Sequence, residues 1–346
     1  MNNIAPVRYG ILGAANIARQ FTRGLSGSQV AQVVAVASRG AEKATAFANE
    51  LGIPRAHSSY EALLRDPEID AIYVPLPNNL HAAWAIRCAE AGKHVLCEKP
   101  LAISATDARA MYAASRQHGV HLAEAYPYMS QPQTLRMREL LAEKTIGRVQ
   151  LITANFGFRL CTPEGVPLRD PKNIRLLPEA GGGALLDAGT YPMSLVRLAA
   201  GEAPARAHAT ARPTTTGVDL TVAATLEFPS GAIAQISCSM AMAFHRFAII
   251  IGDAGMIETN YGNHAPPDGD TLPLRVKRGV TGADPFETTD LPASDGFRAE
   301  AESFAQAIRL GSDHWNGITE AESIDTVRSL EAIAKSIRTG DWVNLA

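Results

Sequence analysis

The chain has 346 residues, of which 46% are hydrophobic and 19% charged, with a formal net charge of −3. That length exceeds one compact core and suits two domains, and the slightly acidic balance offers no basic field to hold a nucleic-acid backbone. Cys88, Cys97, Cys161 and Cys238 form no C-x-x-C pair, which argues against a zinc ribbon or redox dithiol and predicts buried, reduced thiols.

Residues 1–8 show no cationic start followed by an apolar core and a cleavage site, and no apolar run approaches the ~20 residues that span a bilayer. The expectation is a soluble, cytoplasmic protein with no membrane partner. Over 7–124, apolar strand-like runs alternate with helical stretches, the pattern of a parallel sheet with crossover helices. Strands are predicted at 7–12, 33–38, 71–74, 94–97 and 121–123, and helices lie between them, for example at 81–91 and 104–118. Gly92 and Gly119 follow these two helices as C-cap signals. Beyond 128 the pattern changes. A helix over 133–143 precedes extended runs at 148–158, 220–228, 232–240 and 247–251, which predict a largely antiparallel sheet. Two late helices, 297–310 and 320–338, carry apolar residues at helical spacing, among them Ile324, Val327, Leu330, Ile333 and Ile337. The Pro- and Gly-rich stretches 161–171 and 264–272 read as loops.

The run 7–12 leads into Gly13-Ala14-Ala15-Asn16-Ile17-Ala18 and a helix, the strand, turn and helix context of a dinucleotide-binding fingerprint. Against G-x-G-x-x-G only Gly13 matches, with Ala15 and Ala18 standing at the other two positions. The chemistry survives if the helix N-terminus still aims its N–H groups at a pyrophosphate; the plainer reading is a tight, glycine-poor turn. The second strand ends in Val36-Ala37-Ser38-Arg39, where an NAD enzyme usually places an acid. A hydroxyl and a guanidinium there suit a 2′-phosphate, so NADP is favoured, and Lys43 one turn on adds a second positive charge. Taken alone, Arg39 and Lys43 are solvated surface charges.

The fourth strand ends in Cys97-Glu98-Lys99-Pro100, which puts Lys99 at the carboxyl edge of the sheet, where open α/β folds bind ligands. Further on, Gly181-Gly182-Gly183-Ala184-Leu185-Leu186-Asp187-Ala188-Gly189-Thr190-Tyr191 is a glycine-rich approach to an acid and a phenol at i, i+4, which share one face if the segment is helical. A phenol with a pKa of about 10 is a poor base near neutrality, and a neighbouring ammonium lowers that value by roughly 1–3. Lys99 and Tyr191 are therefore a workable acid/base pair, with Asp187 holding a substrate hydroxyl or balancing the lysine charge. Isolated, the same motif reads as a capping Asp and a packed tyrosine.

With these residues in place, the chain resembles the glucose-fructose oxidoreductase, inositol dehydrogenase and MocA family. The resemblance is carried by 8–18, by Pro77-Asn78-Asn79-Leu80-His81, by Glu98-Lys99-Pro100, by Glu124-Ala125-Tyr126 and by 181–191, in that order and spacing. It implies an α/β Rossmann domain with a doubly wound parallel sheet over 1–125, and a C-terminal α+β domain over 126–346 for substrate binding and oligomerisation. The latter would hold a large, open, mostly antiparallel sheet that makes a homodimer or homotetramer, with the active site in the interdomain cleft. It further implies that Lys99 and Tyr191 carry catalysis and Asp187 assists, that Gly13, Ala14, Ala15, Asn16, Ile17, Ser38, Arg39 and Lys43 hold the cofactor, and that Pro77, Asn78, His81 and Glu98 line the nicotinamide end. His81 alone reads as a helix-start residue. Family members commonly carry histidine where this sequence has Tyr191; the branch resembling aldose 1-dehydrogenases, glucose-fructose oxidoreductase and dimeric dihydrodiol dehydrogenase uses tyrosine, and Ser38-Arg39 is typical of that NADP-using branch.

One departure bears on the substrate. Many relatives continue from the glutamate as E-A-Y/F-M-Y-R-F-H-P, whereas here Glu124-Ala125-Tyr126-Pro127-Tyr128-Met129-Ser130-Gln131-Pro132 lacks the arginine and histidine. Tyr126, Tyr128, Phe156 and Phe158 are candidate pocket walls and Arg159 and Arg175 candidate polar contacts, each otherwise packing or surface. No metal site is expected, since His118 and His121, the one close histidine pair, straddle Gly119. The resulting expectation is an NADP-dependent dehydrogenase acting on a sugar-like CH–OH, of the D-xylose 1-dehydrogenase type. A trans-dihydrodiol dehydrogenase or 1,5-anhydro-ketose reductase keeps the fold and cofactor, and a non-catalytic NADP-sensing regulator would need none of Lys99, Asp187 or Tyr191.

Overall fold

The computed structural model describes residues 5–267 and 269–345. They form two compact units. The first comprises the residues up to Ala102 together with Thr106–Ser130 and Ser294–Glu320; the second comprises Ile103–Ala105, Gln131–Ala293 and the residues from Ala321 onward.

The first unit is built on six strands, β1 (Val7–Leu12), β2 (Ala31–Ala37), β3 (Arg55–His57), β4 (Ala71–Val74), β5 (His94–Glu98) and β6 (Leu122–Ala125), in the spatial order β3-β2-β1-β4-β5-β6. Every pairing is parallel. The helices α1 (Asn16–Gly24), α2 (Ala41–Leu51), α3 (Tyr60–Leu64), α4 (His81–Glu90) and α5 (Ala105–Gln117) supply the crossovers. Central strands such as β4 are buried at every residue, which is why they read as unbroken apolar runs rather than alternating ones. β3 was not foreseen: an Arg-Ala-His tripeptide on the sheet edge carries no hydrophobic period.

The second unit holds nine strands: β7 (Val149–Arg159), β8 (Arg206–Pro213), β9 (Asp219–Glu227), β10 (Ile233–Ser239), β11 (Ala241–Gly252), β12 (Gly255–Thr259), β13 (Thr271–Arg278), β14 (Phe286–Pro292) and β15 (Val343–Asn344). Their order is β14-β13-β12-β11-β7-β10-β9-β8-β15, antiparallel throughout except for the parallel pair β7 and β10. In β10 exposed Ile233, Gln235 and Ser237 alternate with buried Ala234, Ile236 and Cys238, so one face of the sheet is covered and the other open. Helices α6 (Pro132–Ala142) and α7 (Thr190–Ala200) belong to this unit. Five of its strands, β8 and β12 to β15, escaped the sequence reading; β13 and β14 expose much of their length and carry Pro, Lys, Arg and Asp, which dilute the apolar signal.

The expected 126–346 division differs from these units, since residues 126–130 and Ser294–Glu320 belong to the first. Helix α8 (Gly296–Leu310) packs in the first unit, where the Phe297 ring meets Phe21 edge-on at 6.3 Å and the Tyr9 hydroxyl donates to the Ala301 carbonyl at 2.9 Å. Its apolar face is thereby spent on the Rossmann core. Helix α9 (Glu320–Thr339) then returns the chain to the second unit, where the Ser336 hydroxyl accepts from Ala209 N in β8 at 2.9 Å and Asp325 accepts from Arg197 of α7 at 2.8 Å. All four cysteines are buried and unlinked. Among the described residues no helix is long and apolar enough to cross a membrane.

Candidate active site

In the first unit the end of β1 makes a cradle. Gly13 has φ of +126°, and a Cβ there would lie 3.1 Å from Leu76 Cδ2, so both backbone and space call for glycine. Its N–H donates to the Ala37 carbonyl at 3.0 Å, which ties the turn to the end of β2. Ala15 stands at the N-cap of α1 in extended conformation, with no side-chain oxygen to cap the first-turn N–H groups and no acid in that turn. The positive end of the helix therefore presents backbone donors, as a pyrophosphate requires. Ala14, Ala15 and Ile17 are half-buried and Asn16 is exposed. The alanines keep the approach low without supplying the missing glycines.

At the end of β2, Ser38 is nearly buried and Arg39 exposed; Lys43 is exposed on the first turn of α2. Among the described residues neither Arg39 nor Lys43 has an ion-pair partner. Burial raises the pKa of the nearby Tyr60 phenol, and the Arg39 charge opposes that rise. Two uncompensated cations beside the cradle fit a dinucleotide carrying a further phosphate.

The exits of β4 and β5 are braced against each other. His81 is completely buried, with Nδ1 2.9 Å from the Pro100 carbonyl and Nε2 2.8 Å from the Leu76 carbonyl. Burial pushes its pKa down while the two carbonyls push it up. Both ring nitrogens are thus occupied, which makes His81 a strut for the loop holding Pro77 and Asn78, both half-buried. Glu98 accepts a short hydrogen bond from the Tyr73 hydroxyl, and its other oxygen accepts from Lys99 N at 3.3 Å. Lys99 is part-exposed at the carboxyl edge of the sheet, and the Lys99–Pro100 peptide bond is cis.

In the second unit the glycine-rich approach is not plain α-helix. Leu185–Gly189, which include Asp187, form a π-helical turn that runs into α7, whose second residue is Tyr191. Asp219 anchors the turn by accepting from Leu185 N at 2.6 Å; its carboxyl pKa is raised by burial and lowered by the backbone N–H groups. Gly183, with φ of +116°, leaves room for that carboxylate, and Gly189 lets the turn lie against Cys238, where a Cβ would come within 2.9 Å of Sγ. Asp187 accepts from Arg175 Nε at 2.7 Å. The structure thus brings together two residues that the sequence singled out separately.

Tyr191 is 7% exposed. Its ring stands perpendicular to Phe156 with centroids 5.3 Å apart, the Arg246 guanidinium lies over it at 4.4 Å, and Asn263 Nδ2 donates to its hydroxyl at 3.3 Å. Arg246, Asn263 and Asp219 carried no motif and were missed. A charged residue on a strand of alternating exposure was the available signal for Arg246, and it is a weak one. Phe158 is half-buried 5.9 Å from Phe156, and Arg159 is exposed. Tyr126 and Tyr128, in the first unit, are 1% and 0% exposed and meet edge-on at 6.0 Å, so they offer a ligand no accessible surface in this conformation. Among the described residues no group of three or more His, Cys, Asp or Glu side chains could hold a metal ion.

Known proteins place this arrangement. The family model described as "Oxidoreductase family, NAD-binding Rossmann fold" matches residues 7–126, and the GFO/IDH/MocA C-terminal domain matches residues 134–258. The chain is 37% identical over 338 residues to a D-xylose 1-dehydrogenase (NADP(+)) of Haloferax volcanii, covering 97% of this chain and 99% of that one. It is 34% identical over 320 residues to the trans-1,2-dihydrobenzene-1,2-diol dehydrogenase of Danio rerio, covering 92% of each. The crystal structure of a 3-ketoreductase from Actinomadura kijaniata in complex with NADP and TDP-benzene superimposes with a TM-score of 0.82 at 30% identity, covering 96% of this chain and 98% of that one. The chain belongs to the GFO/IDH/MocA family of oxidoreductases.

Proposed function

We propose that this chain is an NADP-dependent aldose 1-dehydrogenase of the D-xylose type, with Lys99 and Tyr191 as its proton-handling pair. The observation that supports the cofactor assignment is the end of β2 and the start of α2: Ser38, Arg39 and Lys43 replace the acid of an NAD site with a hydroxyl and two cations that have no ion-pair partner among the described residues. The relative named for D-xylose and NADP(+) is similar over almost the whole of both chains, which supports the substrate class.

When bound, NADP+ supplies the hydride acceptor at nicotinamide C4. Tyr191 takes the proton of the substrate hydroxyl as the hydride leaves C1 with its electron pair, so the C1–H bond breaks and a C1=O bond forms. Lys99 supplies an ammonium donor for the same substrate oxygen. Asp187, fixed by Arg175, accepts from a second sugar hydroxyl and sets the ring's orientation.

The test is a substrate panel run with the parent and with Tyr191→Phe. Nicotinamide absorbance would be followed with D-xylose, other aldoses, trans-dihydrodiols and 1,5-anhydro-ketoses. D-Xylose should be oxidised with NADP+, and Tyr191→Phe should lose about 10² or more in turnover with NADP+ affinity within twofold of the parent. Undiminished turnover removes Tyr191 from the chemistry, and faster turnover with NAD+ than with NADP+ overturns the reading of Ser38 and Arg39.

A further inference from the structure

The surroundings of Tyr191 are more elaborate than a packed tyrosine needs. Arg246 reaches it from β11, directly opposite Phe156 of β7 in the antiparallel register. That register is irregular between Ala241 and His245, immediately before Arg246, and such irregularities re-aim side chains next to functional sites. The guanidinium then lies over three rings at once, 4.4 Å from Tyr191, 4.4 Å from Tyr261 and 5.2 Å from Phe156. Its Nη1 donates at 3.0 Å to Asn263 Oδ1, a neutral acceptor, and the same amide donates through Nδ2 to the Tyr191 hydroxyl. One asparagine therefore links the cation to the phenol oxygen.

The loop carrying Asn263 is held from several sides. Gln131 Nε2 donates to the Asn263 carbonyl at 2.7 Å, Gln133 Nε2 to Asn260 Oδ1 at 2.8 Å and to the Pro273 carbonyl at 2.6 Å. Both glutamines are fully buried. Tyr261 sits at φ of +32°, a conformation that costs a non-glycine residue energy and persists only where the surroundings over-determine it. Its hydroxyl donates to the Asn155 carbonyl at 2.5 Å. Two buried amides and a strained tyrosine hold the loop of one half-buried asparagine.

We propose that Arg246 and Asn263 are positioning residues for Tyr191, fixing its ring and holding its oxygen in line for proton transfer, whether that oxygen accepts the substrate proton in oxidation or returns it in carbonyl reduction. The proposal rests on the reading of Tyr191 as the proton-transfer group. In the oxidation the Asn263 amide and the Arg246 stack hold the accepting oxygen in one orientation; in the reverse, carbonyl-reducing direction Tyr191 gives up its proton, and the donor's hydrogen bond strengthens as charge develops on that oxygen. A cation over the ring face acts in the same direction, and the planar guanidinium suits stacking where an ammonium does not.

The experiment is a double-mutant cycle on the full chain. Asn263→Asp keeps an acceptor for Arg246 and removes the donor to Tyr191; Arg246→Met removes the cation with little change in volume, and Arg246→Lys restores charge without the planar stack. Asn263→Asp and Arg246→Met should each lower kcat about tenfold or more, with KM for NADP+ unchanged, and Arg246→Lys should recover part of the loss. In the Tyr191→Phe background, where there is no hydroxyl to serve, Asn263→Asp should cost less than twofold further. Equal losses in the parent and Tyr191→Phe backgrounds, or unchanged kcat in both single variants, would overturn the proposal. Parent-level turnover of Tyr191→Phe itself overturns the underlying reading of the tyrosine instead, so the two failures are distinguishable.

Discussion

The two units build their candidate half-sites from opposite materials. The first uses backbone: Gly13, the bare start of α1 and the strand ends of β2 and β5, with side chains mainly as struts, such as His81 between the Leu76 and Pro100 carbonyls. The second uses side chains: an arginine over three rings, an asparagine bridging it to a phenol, and a π-helical turn anchored on Asp219. A backbone cradle recognises what all dinucleotides share, and it tolerates Ala15 and Ala18 in place of glycine because small size is most of what it asks. A side-chain frame recognises one reaction and one substrate shape, and it fails when a single atom moves. On the proposed reading, the chemistry common to dinucleotide enzymes falls to the first unit and the chemistry particular to one substrate to the second.

The largest expected effect tests that separation. Gly183→Ala forces a left-handed φ on an alanine and drives its Cβ to 2.3 Å from Asp219 Oδ1. Strain and overpacking together should cost about 3 kcal/mol in the second unit. Chemical denaturation should show one transition moved to lower denaturant, with turnover lost and NADP+ binding to the first unit retained. Simultaneous loss of NADP+ binding would mean that the two half-sites are not energetically separate. An intermediate effect is expected in the first unit from Arg39→Ala. It removes a charge-assisted contact with a phosphate, worth roughly 1.5–3 kcal/mol, so affinity for NADP+ should fall about 10- to 100-fold and affinity for NAD+ should stay constant. Titration by fluorescence quenching with both cofactors measures it, and parallel losses for the two would place Arg39 away from the 2′-phosphate.

The same contrast explains what the sequence made legible. The cradle is local: strand, turn and helix are contiguous over 7–24, and Ser38-Arg39 follow on the neighbouring strand, so spacing alone locates them. Tyr191 could be flagged because it ends a glycine-rich run. Its partners could not, since Asn263 lies 72 residues away and meets the phenol only after β7, β10 and β11 have paired. Asp187 was expected to lie in plain α-helix with Tyr191, and the turn that carries it is π-helical, a winding that no residue pattern in the sequence announces. Helix α8 was visible as a helix but not as a member of the first unit. An amphipathic pattern states that an apolar face exists and says nothing about which core takes it.

The smallest effect near pH 5, one that grows with pH, is expected in helix α8. Glu300 of α8 is completely buried, and among the described residues neither of its carboxyl oxygens has a hydrogen-bond partner. Burial raises its pKa well above the usual carboxylate range, and the charges of Glu98 and Asp295 push in the same direction. In the unfolded chain the group titrates near 4.3. Between that pH and its higher folded value the folded state binds more protons than the unfolded one, so stability falls as pH rises; below about pH 4 the contribution is fully present. Glu300→Gln removes the titration while keeping the shape. The variant should match the parent near pH 4.5 and gain on it by about 1 kcal/mol for each pH unit above 5 until the folded group ionises. Thermal unfolding of both proteins at half-unit steps from pH 4.5 to 8 measures the gap. A gap that stays constant across that range would show that Glu300 titrates alike in both states, and that the first unit tolerates an ionised carboxylate beneath its cofactor edge.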